Sequence, residues 1–107
     1  RDKSRENFGL ILLNGRNEIL DFVIIFEGTL TSSAVYPREV IKLVLERDAA
    51  AIILVHNHPS GNPNPSKEDI SITKRLIDGC KLIDVHVHDH LIIAGNEITS
   101  LADKGLM

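Results

Sequence analysis

His56-Asn57-His58-Pro59 is followed, after a proline-rich spacer, by Ser66-Lys67-Glu68-Asp69. Two imidazoles and a carboxylate form a ligand set that zinc accepts in catalytic sites, where three protein ligands leave the fourth position open. Side chains alternate along an extended backbone, so His56 and His58 point to one side and Asn57 to the other. Asp69 comes from farther along the chain. The segment from Pro59 to Pro65 holds three prolines, one glycine and two asparagines, a composition that continues neither strand nor helix but can fold back as a loop. Zinc held this way lowers the pKa of a water to about 7, which is the chemistry of a hydrolase. That chemistry also needs a general base and a donor for the developing oxyanion. Ser66 is the candidate donor; for the base, Glu6, Glu18, Glu27 and Glu39 are all available, and spacing alone does not choose among them.

The elements that must position these groups follow from hydrophobic patterning. Phe8 to Leu13 and Ile19 to Phe26 are apolar, β-rich runs on either side of Asn14-Gly15, which predicts an antiparallel hairpin. Past the polar stretch Gly28 to Ser33, Pro37 opens a predicted helix in which Val40, Ile41, Val44 and Leu45 recur at helical spacing. Ala49 to Val55 is a continuous apolar segment too short for a typical helix, so it predicts a buried central strand with the two histidines at its exit. A second helix is predicted from Ser66 to about Lys81, with Ile70, Thr73, Leu76, Ile77 and Cys80 facing inward. Strands at Val85 to Ala94 and Glu97 to Ser100, separated by Gly95-Asn96, complete the set.

Composition narrows the functional classes. The 107 residues, 43% hydrophobic, predict one compact domain over 1–107 with a real core. Cys80 is the single cysteine, so no internal disulfide forms, and no apolar run reaches the ~18 residues of a membrane span. A soluble, cytoplasmic protein is the expectation. The first residue is Arg1, with no charged-then-apolar leader behind it, as expected of an excised domain rather than a secreted precursor. A net charge of -3, scattered lysines and arginines, and 4% aromatic residues argue against a nucleic-acid surface on this piece.

Blander roles compete for the same residues. Ser66-x-x-Asp69 ahead of an apolar helix is also the pattern of a helix cap, and both roles can coexist. His86, His88 and His90 alternate along a predicted strand and could share a face, but no carboxylate completes a ligand set there, since Asp89 points the other way. Cys80 reads as a small core residue, and Arg38-Glu39 as either a binding surface or a helix start.

His56-x-His58-Pro59, then six residues, then Ser66-x-x-Asp69 resembles the signature of the JAMM (MPN-plus) metalloproteases. Their remaining element is a glutamate at the start of the first core strand, to which Glu6-Asn7-Phe8-Gly9-Leu10-Ile11-Leu12 is similar. Within that superfamily, Tyr36-Pro37-Arg38-Glu39, His56-Asn57-His58-Pro59-Ser60-Gly61, Pro65-Ser66-x-x-Asp69 and Asp89-His90 resemble the bacterial RadC family, from about Glu6 to Leu101. The resemblance implies a JAMM/MPN α/β fold, related to cytidine deaminases, with a mixed β-sheet flanked by helices. It implies one zinc ion per chain on His56, His58 and Asp69, Glu6 as general base toward the water, Ser66 as oxyanion stabiliser, and hydrolysis of a peptide or isopeptide bond in a protein or peptide substrate. Between the two histidines JAMM deubiquitinases generally carry Ser or Thr, whereas this chain has Asn57, as RadC-like proteins have Asn. RadC-like proteins also usually carry an N-terminal region resembling helix-hairpin-helix DNA-binding modules, to which nothing in this sequence corresponds.

Other classes make different demands. An MPN-type fold can also serve as a non-catalytic interaction module, scaffolding a DNA-repair or replication partner. A zinc deaminase needs a Pro-Cys-x-x-Cys ligand pair that one cysteine does not supply. The tripeptide His56-Asn57-His58 is unrelated to HNH nucleases, whose named residues are dispersed.

Overall fold

The computed structural model describes residues 5–31 and 33–107; Ser32, in the polar connection between the hairpin and the first helix, lies outside them. The two opening apolar runs form β1 (Asn7–Leu13) and β2 (Ile19–Glu27), paired antiparallel. Their turn is organised by Asn14, whose Oδ1 accepts from the backbone of Arg16 and Glu18 at 2.9 and 3.0 Å. The left-handed position of this turn falls on Asn17 at φ 61°, not on Gly15.

Pro37 takes the first turn of α1 (Pro37–Glu46), where a missing N–H is harmless. Then come β3 (Ala51–Asn57), α2 (Lys67–Lys81), β4 (His86–Ala94) and β5 (Glu97–Ser100). The five strands form one mixed sheet in the order β2-β1-β3-β4-β5, so β3 is central, antiparallel to β1 and parallel to β4. β3 runs later than predicted and takes in His56 and Asn57 as its last residues.

One face of the sheet carries Phe8, Leu10 and Leu12 of β1 with Ile52 and Leu54 of β3, all fully buried. Val40 and Val44 of α1 and Ile72, Leu76 and Cys80 of α2 belong to the same core, so both helices cover this one face. Gly79 lets them approach, with Pro37 and Ile41 of α1 within 3.4–3.7 Å of where its Cβ would stand. Across the opposite face run Phe22, Ile24, Ile11, Ile53, Val55, Leu91 and Ile93, of which Phe22 and Ile24 are 49% and 43% exposed.

Two predicted inner faces are rotated. In α2 the buried residues are Asp69, Ile72, Thr73, Leu76 and Cys80, while Ile70 is 37% exposed and Ile77 only partly buried. The true stripe keeps the 3–4 spacing but includes a carboxylate, which hydrophobicity alone does not flag. In α1, Leu45 is exposed. Leu43, outside the predicted stripe, packs against the core instead.

Candidate metal centre

The site gathers at the end of the helix-covered face, where β1 begins and β3 ends. Phe8 pairs with His56 across the antiparallel β1–β3 ladder. Glu6 precedes Phe8 by two residues and therefore shares its face, and His58 follows His56 by two. Strand alternation thus brings a carboxylate and two imidazoles from opposite ends of adjacent strands to one side of the sheet. Glu6 Oε2 lies 2.9 Å from His56 Nε2. It also lies 3.5 Å from the Leu30 N–H.

Asp69 arrives from the first turn of α2. Ser66 caps that helix in a reciprocal box, its Oγ accepting from the Asp69 N–H at 3.0 Å while Asp69 Oδ2 accepts from the Ser66 N–H at 2.8 Å. The box turns the carboxylate inward, where it is fully buried between the two imidazoles. Its Oδ1 is 2.7 Å from His56 Nδ1 and its Oδ2 is 2.9 Å from His58 Nε2. Burial alone would raise the Asp69 pKa, but the hydrogen bonds from His56 and from the Ser66 backbone and hydroxyl outweigh it and hold the carboxyl well below its ordinary range. Burial likewise pulls His56 down, and the contacts with Asp69 and Glu6 reverse this into a net upward shift.

The donor atoms of His56, His58 and Asp69 lie within 4.8 Å of one another. Two imidazoles and a carboxylate held ionised suit zinc among the divalent ions, so the residues present fit the metal that the motif implies. Ser66 Oγ sits against this cluster, and its single proton goes to Asp69 Oδ2 at 2.9 Å. The cluster opens into a cleft of about 710 Å³ whose walls include Glu6, Leu30, His56, His58, Asn62 and Ser66.

A family model described as the RadC-like JAB domain matches residues 1–106. The chain belongs to the RadC family. A UPF0758 protein from Desulforamulus reducens is 53% identical to it over 107 residues, covering 100% of this chain and 47% of that protein. UPF0758 proteins from Saccharophagus degradans and Shewanella baltica are 49% and 48% identical over 98% and 97% of the chain. The chain spans about half the length of these relatives. The mixed five-stranded α/β sheet is that of the JAB/MPN fold.

Of the other glutamates of this RadC-like domain, Glu18 lies in the β1–β2 turn, where its carboxylate accepts from Asn14 at 2.8 Å. Glu27 faces Arg5 at 4.0 Å, and Glu39 forms an exposed ion pair with Arg38 at 3.8 Å. Neither touches the cluster. His86, His88 and His90 do not share a face, because the β3–β4 register slips between Ile52 and Ile53 and leaves His88 as an extra residue. His88 instead meets Asn17 at 2.8 Å. Asp89 and His90 part company: Asp89 accepts from Ser100 Oγ at 2.6 Å and the Ala102 N–H at 3.0 Å, latching β5 and the following turn. His90 turns into the core behind Asp69.

Three further participants carry roles that sequence reasoning left open. Asn57 faces away from the imidazoles, as alternation requires, and binds backbone beside Glu6. Thr73, read only as an inner-face residue, hydrogen-bonds both the Asp69 carbonyl and His90. His90 itself is driven down to about 4 by burial, so its imidazole is neutral. A polar residue on the buried stripe of α2 was the available signal for Thr73, and the Asp89-His90 string of the RadC resemblance was the signal for His90.

Proposed function

We propose that this domain is a zinc-dependent metallohydrolase that cleaves a peptide or isopeptide bond. The observation that carries the reading is the convergence of Glu6, His56, His58 and Asp69, from β1, β3 and α2, at the inner end of one open cleft. His56, His58 and Asp69 would hold the metal, one per chain. Zinc there supplies a Lewis acid that polarises a carbonyl and acidifies water. Glu6 reaches the cluster through a side chain that is 24% exposed, so it can exchange a proton with a molecule in the cleft. Ser66 stands beside Asp69 and can turn its hydroxyl toward an oxyanion once Asp69 Oδ2 is otherwise engaged. The cleft of about 710 Å³ leaves room at the cluster for a segment of such a substrate.

The test is metal content by elemental mass spectrometry on the parent and on His58→Ala, followed by hydrolysis assays on peptide and isopeptide libraries. About one zinc per chain, lost in the variant, is the expected result; an absence of metal under zinc-replete conditions removes the proposal. A second reading, a scaffold for a DNA-repair or replication partner, is favoured by the sheet face that neither helix covers. It predicts that partner binding and cellular function survive substitution of His56, His58, Asp69 and Glu6 alike.

A further inference from the structure

His90 is fully buried, and its Nε2 has no hydrogen-bond partner among the described residues. An apolar ring in this place would leave nothing unsatisfied, whereas a buried unpaired nitrogen lowers stability. The imidazole therefore has to be explained by what its nitrogens do.

Nδ1 lies 2.6 Å from Thr73 Oγ1, and Thr73 Oγ1 lies 2.6 Å from the main-chain oxygen of Asp69. A hydroxyl has one proton. Two oxygens at that separation repel unless a proton stands between them, so Thr73 donates to Asp69 and has only a lone pair left for His90. Nδ1 must then carry the proton and donate to Thr73. In the neutral ring this leaves Nε2 as a bare lone pair, 4.0 Å from Asp69 Oδ1. Phe8 stacks edge-on against the ring at 5.7 Å and keeps it in this orientation.

We propose that His90 is a positioning residue of the metal centre, acting through Thr73 on the first turn of α2 so that Asp69 stands at the depth where His56 and His58 reach its carboxylate. The tautomer is part of the device. An Nε2–H would turn a positive edge toward the carboxylate that is to hold a cation, whereas a lone pair does not. The chain His90–Thr73–Asp69 runs through the backbone carbonyl of the ligand residue, so it sets where the ligand is rather than what charge it carries. This inference rests on the metal-binding reading of the site.

The experiment is zinc affinity, by competition with a chromophoric chelator, on the intact chain and on His90→Leu, His90→Asn, Thr73→Val and Thr73→Ser, with ring-nitrogen NMR of the metal-free parent. His90→Leu and Thr73→Val are expected to weaken zinc binding by about 10–100-fold, the usual scale for losing an outer-sphere partner. His90→Asn, which can place an amide N–H near the Nδ1 position, and Thr73→Ser are expected to recover most of the loss. NMR should find Nδ1 protonated and Nε2 bare. A parent that binds zinc while His90→Leu and Thr73→Val bind it equally well overturns the positioning role alone, as does a protonated Nε2. A parent that binds no zinc overturns the metal reading and this inference with it. Should His90→Leu not fold, the contrast between Thr73→Val and Thr73→Ser decides the matter.

Discussion

The side-chain amide of Asn57 grips the β1 backbone on both sides of Glu6: Oδ1 accepts the Asn7 N–H at 2.6 Å and Nδ2 donates to the Arg5 carbonyl at 2.7 Å. Glu6 is thereby fixed at its two flanking peptides while its side chain projects to the opposite face, toward His56. The residue between the two histidines thus holds the glutamate in place and does not join the His56–His58–Asp69 cluster.

Truncating that amide should separate stability from metal binding. Asn57→Ala strips the Asn7 N–H of its partner and is expected to lower stability by about 1–3 kcal/mol in urea denaturation. Zinc affinity should stay within a few-fold of the parent, because the amide's hydrogen bonds go to the β1 backbone and not to His56, His58 or Asp69. A large fall in zinc affinity would show that the amide supports the ligands instead.

For Glu6 the expected pattern is the reverse of a ligand substitution. Glu6→Gln keeps the shape of the side chain and should keep zinc, while hydrolysis falls about 10²–10⁴-fold, the usual range for a lost general base. Hydrolysis at the parent rate in this variant would rule out the assigned role.

Gly9 has a packing reason to be glycine. A Cβ there would stand 3.0 Å from the Phe22 ring and 3.0 Å from the Val23 carbonyl oxygen. Alanine for glycine ordinarily stabilises by about 0.4–1 kcal/mol through the unfolded chain. The backbone oxygen cannot swing away as a ring can, so overpacking dominates and Gly9→Ala should destabilise by about 1–3 kcal/mol. Thermal unfolding of the variant checks the sign.

Metal-free protein should lose stability as pH falls from 6.5 toward 4. Burial lowers the His90 pKa from 6.5 to about 4, so within that window the unfolded chain binds a proton that the native chain refuses. At about 1.4 kcal/mol per pH unit the loss approaches about 3 kcal/mol. The other shifts leave the window clear. His56 is raised, so its contribution is complete below 6.5 and is lost only as pH rises through its folded value. Asp69 is lowered, so its contribution is intact above 3.8. Chemical denaturation of chelator-treated protein across this range, with His90→Phe flattening the slope, is the measurement.

What the sequence determined by itself was local. The hairpin, the capping box that opens α2 and the set His56, His58, Asp69 are written in residues close along the chain, where turn chemistry, strand alternation and side-chain-to-backbone hydrogen bonds act without help. The approach of Glu6 came from resemblance, since nothing near Glu6 announces a partner 50 residues away. Only the tertiary structure decided the rest. The β1–β3 register set Glu6 beside His56 and Asn57 beside the Arg5–Asn7 backbone. The slip at His88 turned His86 and His90 to different faces. The rotation of α2 exposed Ile70 and buried Asp69, and packing against β4 set Thr73, already expected on the inner face, against His90. Each of these depends on which strand pairs with which and in what register, a choice made by burial of the whole core rather than by any short stretch of chain.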